Sequence, residues 1–141
     1  MAAADVIRDA AVQLREAGIE TPEHDAKLLL AEAAGVELRD VDKALLMGEE
    51  LGTAEQLARF QSMLARRAKR EPLQYITGHA PFRYLDLKVG PGVFIPRPET
   101  ETVVQVGLDW LTRNGMIHPR VVDLCAGSGA IGLSVVSEVP G

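Results

Sequence analysis

One carboxylate and three glycines set the chemistry open to this chain: Asp123, then Gly127, Gly129 and Gly132, within Val121-Val122-Asp123-Leu124-Cys125-Ala126-Gly127-Ser128-Gly129-Ala130-Ile131-Gly132. A short apolar run ends in an acid, passes through a small-residue turn and opens into a helical pattern, which reads as strand, loop and helix. Glycines let a backbone approach a ligand closely, and a helix starting behind them offers free N–H groups. The spacing Gly-x-Gly-x-x-Gly alone suits a dinucleotide and other nucleotide-like ligands equally.

Asp123 separates these possibilities. A carboxylate just ahead of the turn repels a diphosphate arriving at the helix N-terminus and suits a ligand with a positive centre and no phosphate. S-adenosylmethionine carries a sulfonium, an α-ammonium and a ribose, and Asp-x-x-x-Gly-x-Gly is the opening motif of the α/β methyltransferases. That reading ranks above a dehydrogenase; a tight turn holding no ligand is the plain alternative.

The elements that must hold this loop follow three textures. Residues 1 to about 70 read as successive helices packed in a small bundle, because helices this short are marginal alone. Ala4 to Ala17 puts Ile7, Ala10, Ala11 and Leu14 on one stripe before Gly18. Thr21-Pro22-Glu23 is a start signal, with a capping hydroxyl and an early proline, for a helix carrying Ala26, Leu29, Leu30 and Ala33 and ending at Gly35. Asp40 to Met47 forms a shorter helix, and Thr53-x-x-Gln56 is a capping-box pattern ahead of Leu57, Phe60 and Leu64.

From Glu71-Pro72 the period changes. Leu85, Leu87 and Val89 alternate with polar residues, Gly90-Pro91-Gly92 turns, and Val93-Phe94-Ile95 returns, which predicts a hairpin in a linker over 71–98. Pro98, Glu99 and Glu101 suit the start of a helix whose apolar face is Val103, Val106, Trp110 and Leu111, ending at Asn114-Gly115. A strand from Arg120 and a helix from about Ala130 complete the expected order. The fold class is therefore mixed: a helical bundle, a linking hairpin, then the first βα unit of a Rossmann-like domain over 99–141.

Composition agrees with an ordinary globular protein: 141 residues, 47% hydrophobic and 25% charged. No apolar run is long enough to span a membrane, and the start lacks the pattern of a signal peptide, so a cytoplasmic location is expected. The one cysteine, Cys125, cannot form an internal disulfide, and no Cys/His cluster has metal-ligand spacing. A net charge of −5 gives no expectation of direct nucleic-acid binding. Arg59, Arg66, Arg67, Lys69 and Arg70 form one basic cluster, read either as the solvated end of a helix or as a docking surface for an anionic partner.

Four segments occur in order: Pro72-Leu73-Gln74-Tyr75-Ile76-Thr77-Gly78, Pro81-Phe82-Arg83-Tyr84, Phe94-Ile95-Pro96-Arg97-Pro98-Glu99-Thr100-Glu101, and Asp123 to Ile131. Together they closely resemble the PrmC/HemK family of protein-(glutamine-N5) methyltransferases, which act on peptide-chain release factors. Ile-Pro-Arg-Pro-Glu-Thr-Glu is the most specific piece. The resemblance implies a class I methyltransferase fold, S-adenosylmethionine as cofactor and the glutamine of a Gly-Gly-Gln loop as substrate, with the helical bundle as docking domain. It implies that Asp123, Cys125, Ala126, Gly127, Ser128 and Gly129 line the cofactor pocket. Arg97, Thr100 and Glu101 would sit at the methionine end, with Phe82 as a wall near the methyl group. Cys125 stands where glycine is commoner. Phe82 and Phe94 could instead be core residues, and Arg97 with Glu101 a structural ion pair.

An amide nitrogen is a poor nucleophile, so its methylation depends on orientation and on preorganised acceptors. In families resembling this one an Asn-Pro-Pro-Tyr segment supplies them. None occurs here, and Asn114 is the only asparagine. No catalytic residue is therefore assigned. The chain is expected to be a fragment that neither methylates nor binds the cofactor tightly. Its residues beyond about Pro119 are expected to be disordered or paired through an open strand edge. Two other readings stay open: an amino-methyltransferase acting on a nucleic-acid base or another protein, and a non-catalytic helical docking module.

Overall fold

The computed structural model describes residues 1–140, which divide into two compact units, Met1–Thr77 and the residues from Gly78 on. The first unit contains α1 (Ala3–Glu16), α2 (Pro22–Ala34), α3 (Leu38–Met47), α4 (Ala54–Ala68) and the single turn α5 (Leu73–Thr77). Helix α2 packs against α1, α3 and α4 and is the centre of the bundle. Its sequence shows why: Ala26, Leu29, Leu30, Ala31 and Ala33 leave little polar surface, and all are buried. Leu14, Phe60 and Leu64 close the core from α1 and α4.

Helix boundaries follow local chemistry. The capping box at α4 forms as expected: Thr53 Oγ1 accepts the Gln56 N–H at 3.2 Å and Gln56 Oε1 accepts the Thr53 N–H at 2.8 Å. Helix α3 begins before the expected Asp40: Glu37 is its N-cap residue, and Asp40, in the first turn, accepts the Glu37 N–H at 3.0 Å. Thr21 does not cap α2 through its hydroxyl. Thr21 Oγ1 donates instead to Asp25 Oδ1 at 3.0 Å, and Asp25 is only 3% exposed. A buried carboxylate has the stronger claim on the hydroxyl. The turn α5, in a stretch where helical periodicity stops, was not foreseen; it starts on the Pro72 carbonyl, which accepts from Tyr75 and Ile76.

The second unit holds β1 (His79–Phe82), β2 (Leu85–Lys88), α6 (Thr100–Arg113) and α7 (Ala130–Glu138). The hairpin is antiparallel, pairing His79 with Lys88 and Phe82 with Leu85. The expected strand Val93-Phe94-Ile95 does not form, so the partner of β2 lies before it, not after. Arg83 takes a left-handed φ of 50° and allows a two-residue turn there, whereas after Gly90 the chain makes a further turn, with Val93 N–H on the Gly90 carbonyl. The core of this unit is Phe82, Leu87, Val104 and Ala130, with Leu85 and Leu108 half-buried.

Helix α6 turns a different face inward from the one expected. Val104 and Leu108, one turn apart, meet the core, while Val103, Val106 and Trp110 are exposed and Leu111 half-buried. The strand expected from Arg120 is absent as well. An isolated strand has no partner for its backbone groups, and no parallel sheet lies among the described residues. Beyond that point the chain is not structureless, because α7 forms a regular helix.

Candidate functional site

The glycine loop is built around the start of α7. Three residues in it adopt left-handed backbone conformations: Cys125 (φ 56°), Gly127 (59°) and Gly129 (82°), the last being the residue that caps α7. Glycine takes this region without strain, whereas Cys125 does so at a cost. Asp123 folds back over the loop, and its Oδ2 accepts the Gly132 N–H in the first helical turn at 2.9 Å. The carboxylate therefore occupies the position at a helix N-terminus where an anion would otherwise bind. A Cβ on residue 132 would lie 3.0 Å from that oxygen and would press on the carboxylate.

The other residues singled out from the sequence divide by their surroundings. Phe82 is 1% exposed and belongs to the core of the second unit. Phe94 is 64% exposed, its Cβ is the atom nearest to where a side chain on Gly127 would begin, at 3.9 Å, and the Arg97 guanidinium lies 5.7 Å from its ring centre. Thr100 opens α6 and Glu101 follows it. Glu101 does not pair with Arg97; its Oε1 accepts the Arg83 backbone N–H at 2.8 Å. Ala126 and Ser128 lie in the turn between Asp123 and α7, with Ala126 exposed and its carbonyl accepting the Gly129 N–H at 2.9 Å.

Arg83 is the residue that sequence reasoning missed. Its guanidinium grips Glu138 through Nε and Nη2, both at 2.7 Å, and also reaches the Glu101 carbonyl at 3.1 Å and Gln105 Oε1 at 2.8 Å. The hydrogen bonds with Glu138 raise the Arg83 pKa and hold the Glu138 carboxyl below its usual range, outweighing the opposing cost of burial. No spacing in the sequence announces this cluster, because Arg83 and Glu138 lie 55 residues apart.

The basic cluster at the end of α4 is largely engaged within its own unit. Arg67 Nε donates to the buried Asp25 at 2.8 Å, and Arg67 Nη1 to the Glu71 carbonyl at 2.8 Å. Arg66 forks onto the Glu71 carboxylate, and Arg59 lies 3.7 Å from Glu32. Lys69 and Arg70 are exposed cations of this group without an ion pair among the described residues. Among the described residues no group of three His, Cys, Asp or Glu could hold a metal, and no helix is long and apolar enough to cross a membrane.

The model of the PrmC N-terminal domain family matches residues 5–78, more than half of the chain, and the chain belongs to that family. Three of its relatives carry the same description. A release factor glutamine methyltransferase of Bifidobacterium longum (strain NCC 2705) is 89% identical over 137 residues, 97% of this chain and 47% of that protein. Proteins of the same name from Streptomyces coelicolor and Corynebacterium glutamicum are 45% and 46% identical, over 95% and 90% of this chain and 45% and 43% of their own lengths. The chain thus spans about half the length of the curated relatives it matches.

Proposed function

We propose that this chain is part of a release factor glutamine methyltransferase, in which the helical unit docks the substrate protein and the second unit begins the S-adenosylmethionine site of a Rossmann-like domain. The reaction is transfer of a methyl group to the side-chain amide nitrogen of the glutamine in the Gly-Gly-Gln motif of peptide-chain release factors, a cytoplasmic task in translation termination. The observation carrying the cofactor assignment is the Asp123–Gly132 hydrogen bond. With a carboxylate already at the α7 N-terminus, a diphosphate would meet like charge, whereas a cofactor with hydroxyl and ammonium donors would not.

The residues present fit such a cofactor. Gly127 has open space on the side where a Cβ would lie, apart from Phe94, so a ligand can approach the backbone there. Asp123, Cys125, Ala126, Gly127, Ser128 and Gly129 would line the loop side, and Arg97, Thr100 and Glu101 the methionine end. We assign the exposed wall to Phe94, because Phe82, expected there, is buried in the core of the second unit. The bound cofactor supplies an electrophilic methyl group; this chain's residues bind, orient and exclude water. Orientation of the amide nitrogen falls to an Asn-Pro-Pro-Tyr segment that these 141 residues do not contain, so they are proposed not to turn over by themselves.

The test is transfer of labelled methyl to a release factor, to DNA and to RNA by this chain joined to the second half carried by the Bifidobacterium longum relative. Labelling of the release factor alone, lost when its glutamine is replaced, supports the proposal. Labelling of nucleic acid alone contradicts it.

A further inference from the structure

We infer that Arg83 is a positioning residue that holds Glu101 and the first turn of α6 in the arrangement that the amino-acid end of the cofactor requires. The inference rests on the functional reading above and concerns a residue in a turn, distant in sequence from the glycine loop. Both ends of Glu101 are held by Arg83: the carboxylate accepts the Arg83 backbone N–H at 2.8 Å, and the Glu101 carbonyl accepts from Arg83 Nη1 at 3.1 Å. Gln105, one helical turn along, accepts from Nη2 at 2.8 Å. One side chain therefore grips the same face of α6 at two successive turns.

The grip has an anchor. Nε and Nη2, the latter shared with Gln105, form a two-pronged pair with Glu138 in the last turn of α7, with the Arg83 and Glu138 side chains only 12% and 16% exposed. A carboxylate is poorly placed at a helix C-terminus, so Glu138 depends on Arg83 for a counter-charge. Arg83 also keeps the left-handed backbone that aims its N–H at Glu101. Lysine could supply the charge but not the planar fork that reaches both helices at once. The hub therefore couples the α6 turn bearing Thr100 and Glu101 to α7, the helix that begins at the glycine loop.

The test uses the isotope-labelled chain, joined to the second half carried by the Bifidobacterium longum relative, with Arg83→Lys and Glu138→Gln, two variants that keep the backbone N–H at position 83 while loosening the anchor. Each is titrated, by nuclear magnetic resonance, with S-adenosylmethionine and with methylthioadenosine, which lacks the amino-acid portion. The expected result is a dissociation constant for S-adenosylmethionine raised about fivefold, the loss of roughly one hydrogen bond, with that for methylthioadenosine unchanged. Equal weakening of both ligands, or a lower melting temperature with neither affinity changed, overturns the inference and leaves Arg83 as a brace of the fold. If the unaltered joined chain takes up neither ligand, the functional reading itself fails, and this inference with it.

Discussion

Asp123 caps the helix that follows it: its Oδ2 accepts the Gly132 N–H at 2.9 Å, and a Cβ on residue 132 would come to 3.0 Å from the same atom. Gly132→Ala sets two effects against each other. Alanine gains about 1 kcal/mol of helix preference over glycine, and displacement of the capping carboxylate costs about 1 kcal/mol. The expected outcome is a melting temperature close to that of the unaltered chain, with weaker adenosylmethionine-induced shifts at Gly127 and Gly129. Retained binding in this variant would show that the carboxylate's position does not matter to the ligand.

Phe82 and Phe94 should respond in opposite ways. Phe82→Ala opens a cavity in a small core and is expected to cost about 3–5 kcal/mol, collapsing the resonance dispersion of the second unit. Phe94→Ala removes an exposed ring and is expected to leave melting unchanged while weakening cofactor binding. Thermal melts and ligand titrations of both variants check this, and a destabilised Phe94→Ala chain would contradict it.

The basic cluster separates along the same lines. Arg67→Ala leaves Asp25, 3% exposed, with only the Thr21 hydroxyl and an uncompensated charge, a loss of about 3 kcal/mol. Arg66→Ala removes an exposed pair and is expected to change stability by less than about 1 kcal/mol. Urea unfolding of the two variants measures the difference; equal midpoints would refute a structural role for Arg67.

Acid should reveal the two held carboxylates. Hydrogen bonds from Arg83 and Arg66 lower the pKa values of Glu138 and Glu71 in the folded chain. A depressed folded pKa contributes stability that is complete above the unfolded carboxylate value, about 4.3, and is lost as pH falls through the folded value. Between pH 7 and 5 these two groups should give no slope, and below about 4.3 stability should fall. In Glu138→Gln the acid limb should be shallower, as read from urea midpoints against pH.

Ser134 offers a stabilising change. Its Oγ is buried and has no hydrogen-bond partner among the described residues. Ser134→Ala removes an unsatisfied hydroxyl and improves helix preference, so a gain of about 0.5–1 kcal/mol is expected. A lower melting temperature would mean that the hydroxyl has a partner.

The helices of the first unit were legible because each carries its own punctuation. Gly18, Gly35 and Gly48 end helices, and the Thr53–Gln56 box starts one, all through contacts a few residues apart. The second unit was less legible because its order depends on pairs distant in sequence. Nothing local distinguishes Val93-Phe94-Ile95 from β1 as the partner of β2; Pro81 in β1 argues against a strand, yet an edge position tolerates it. The inward face of α6 was misread for a related reason. Val103, Val106 and Trp110 form as good a stripe as Val104 and Leu108, and only the hairpin and α7 decide which is covered. The glycine loop was readable as a turn before a helix, whereas the use of Asp123 as a helix cap and the Arg83 hub emerge only in the folded chain.

The carboxylate-capped loop is expected to prefer adenosylmethionine to a diphosphate-bearing ligand. Parallel titration of the labelled chain with S-adenosylmethionine and with a nicotinamide dinucleotide tests it, because resonance shifts report even weak binding. Shifts concentrated on Asp123, Gly127, Ser128 and Gly129 are expected with the first ligand and none there with the second. Shifts of those residues with the dinucleotide, and none with adenosylmethionine, would contradict it.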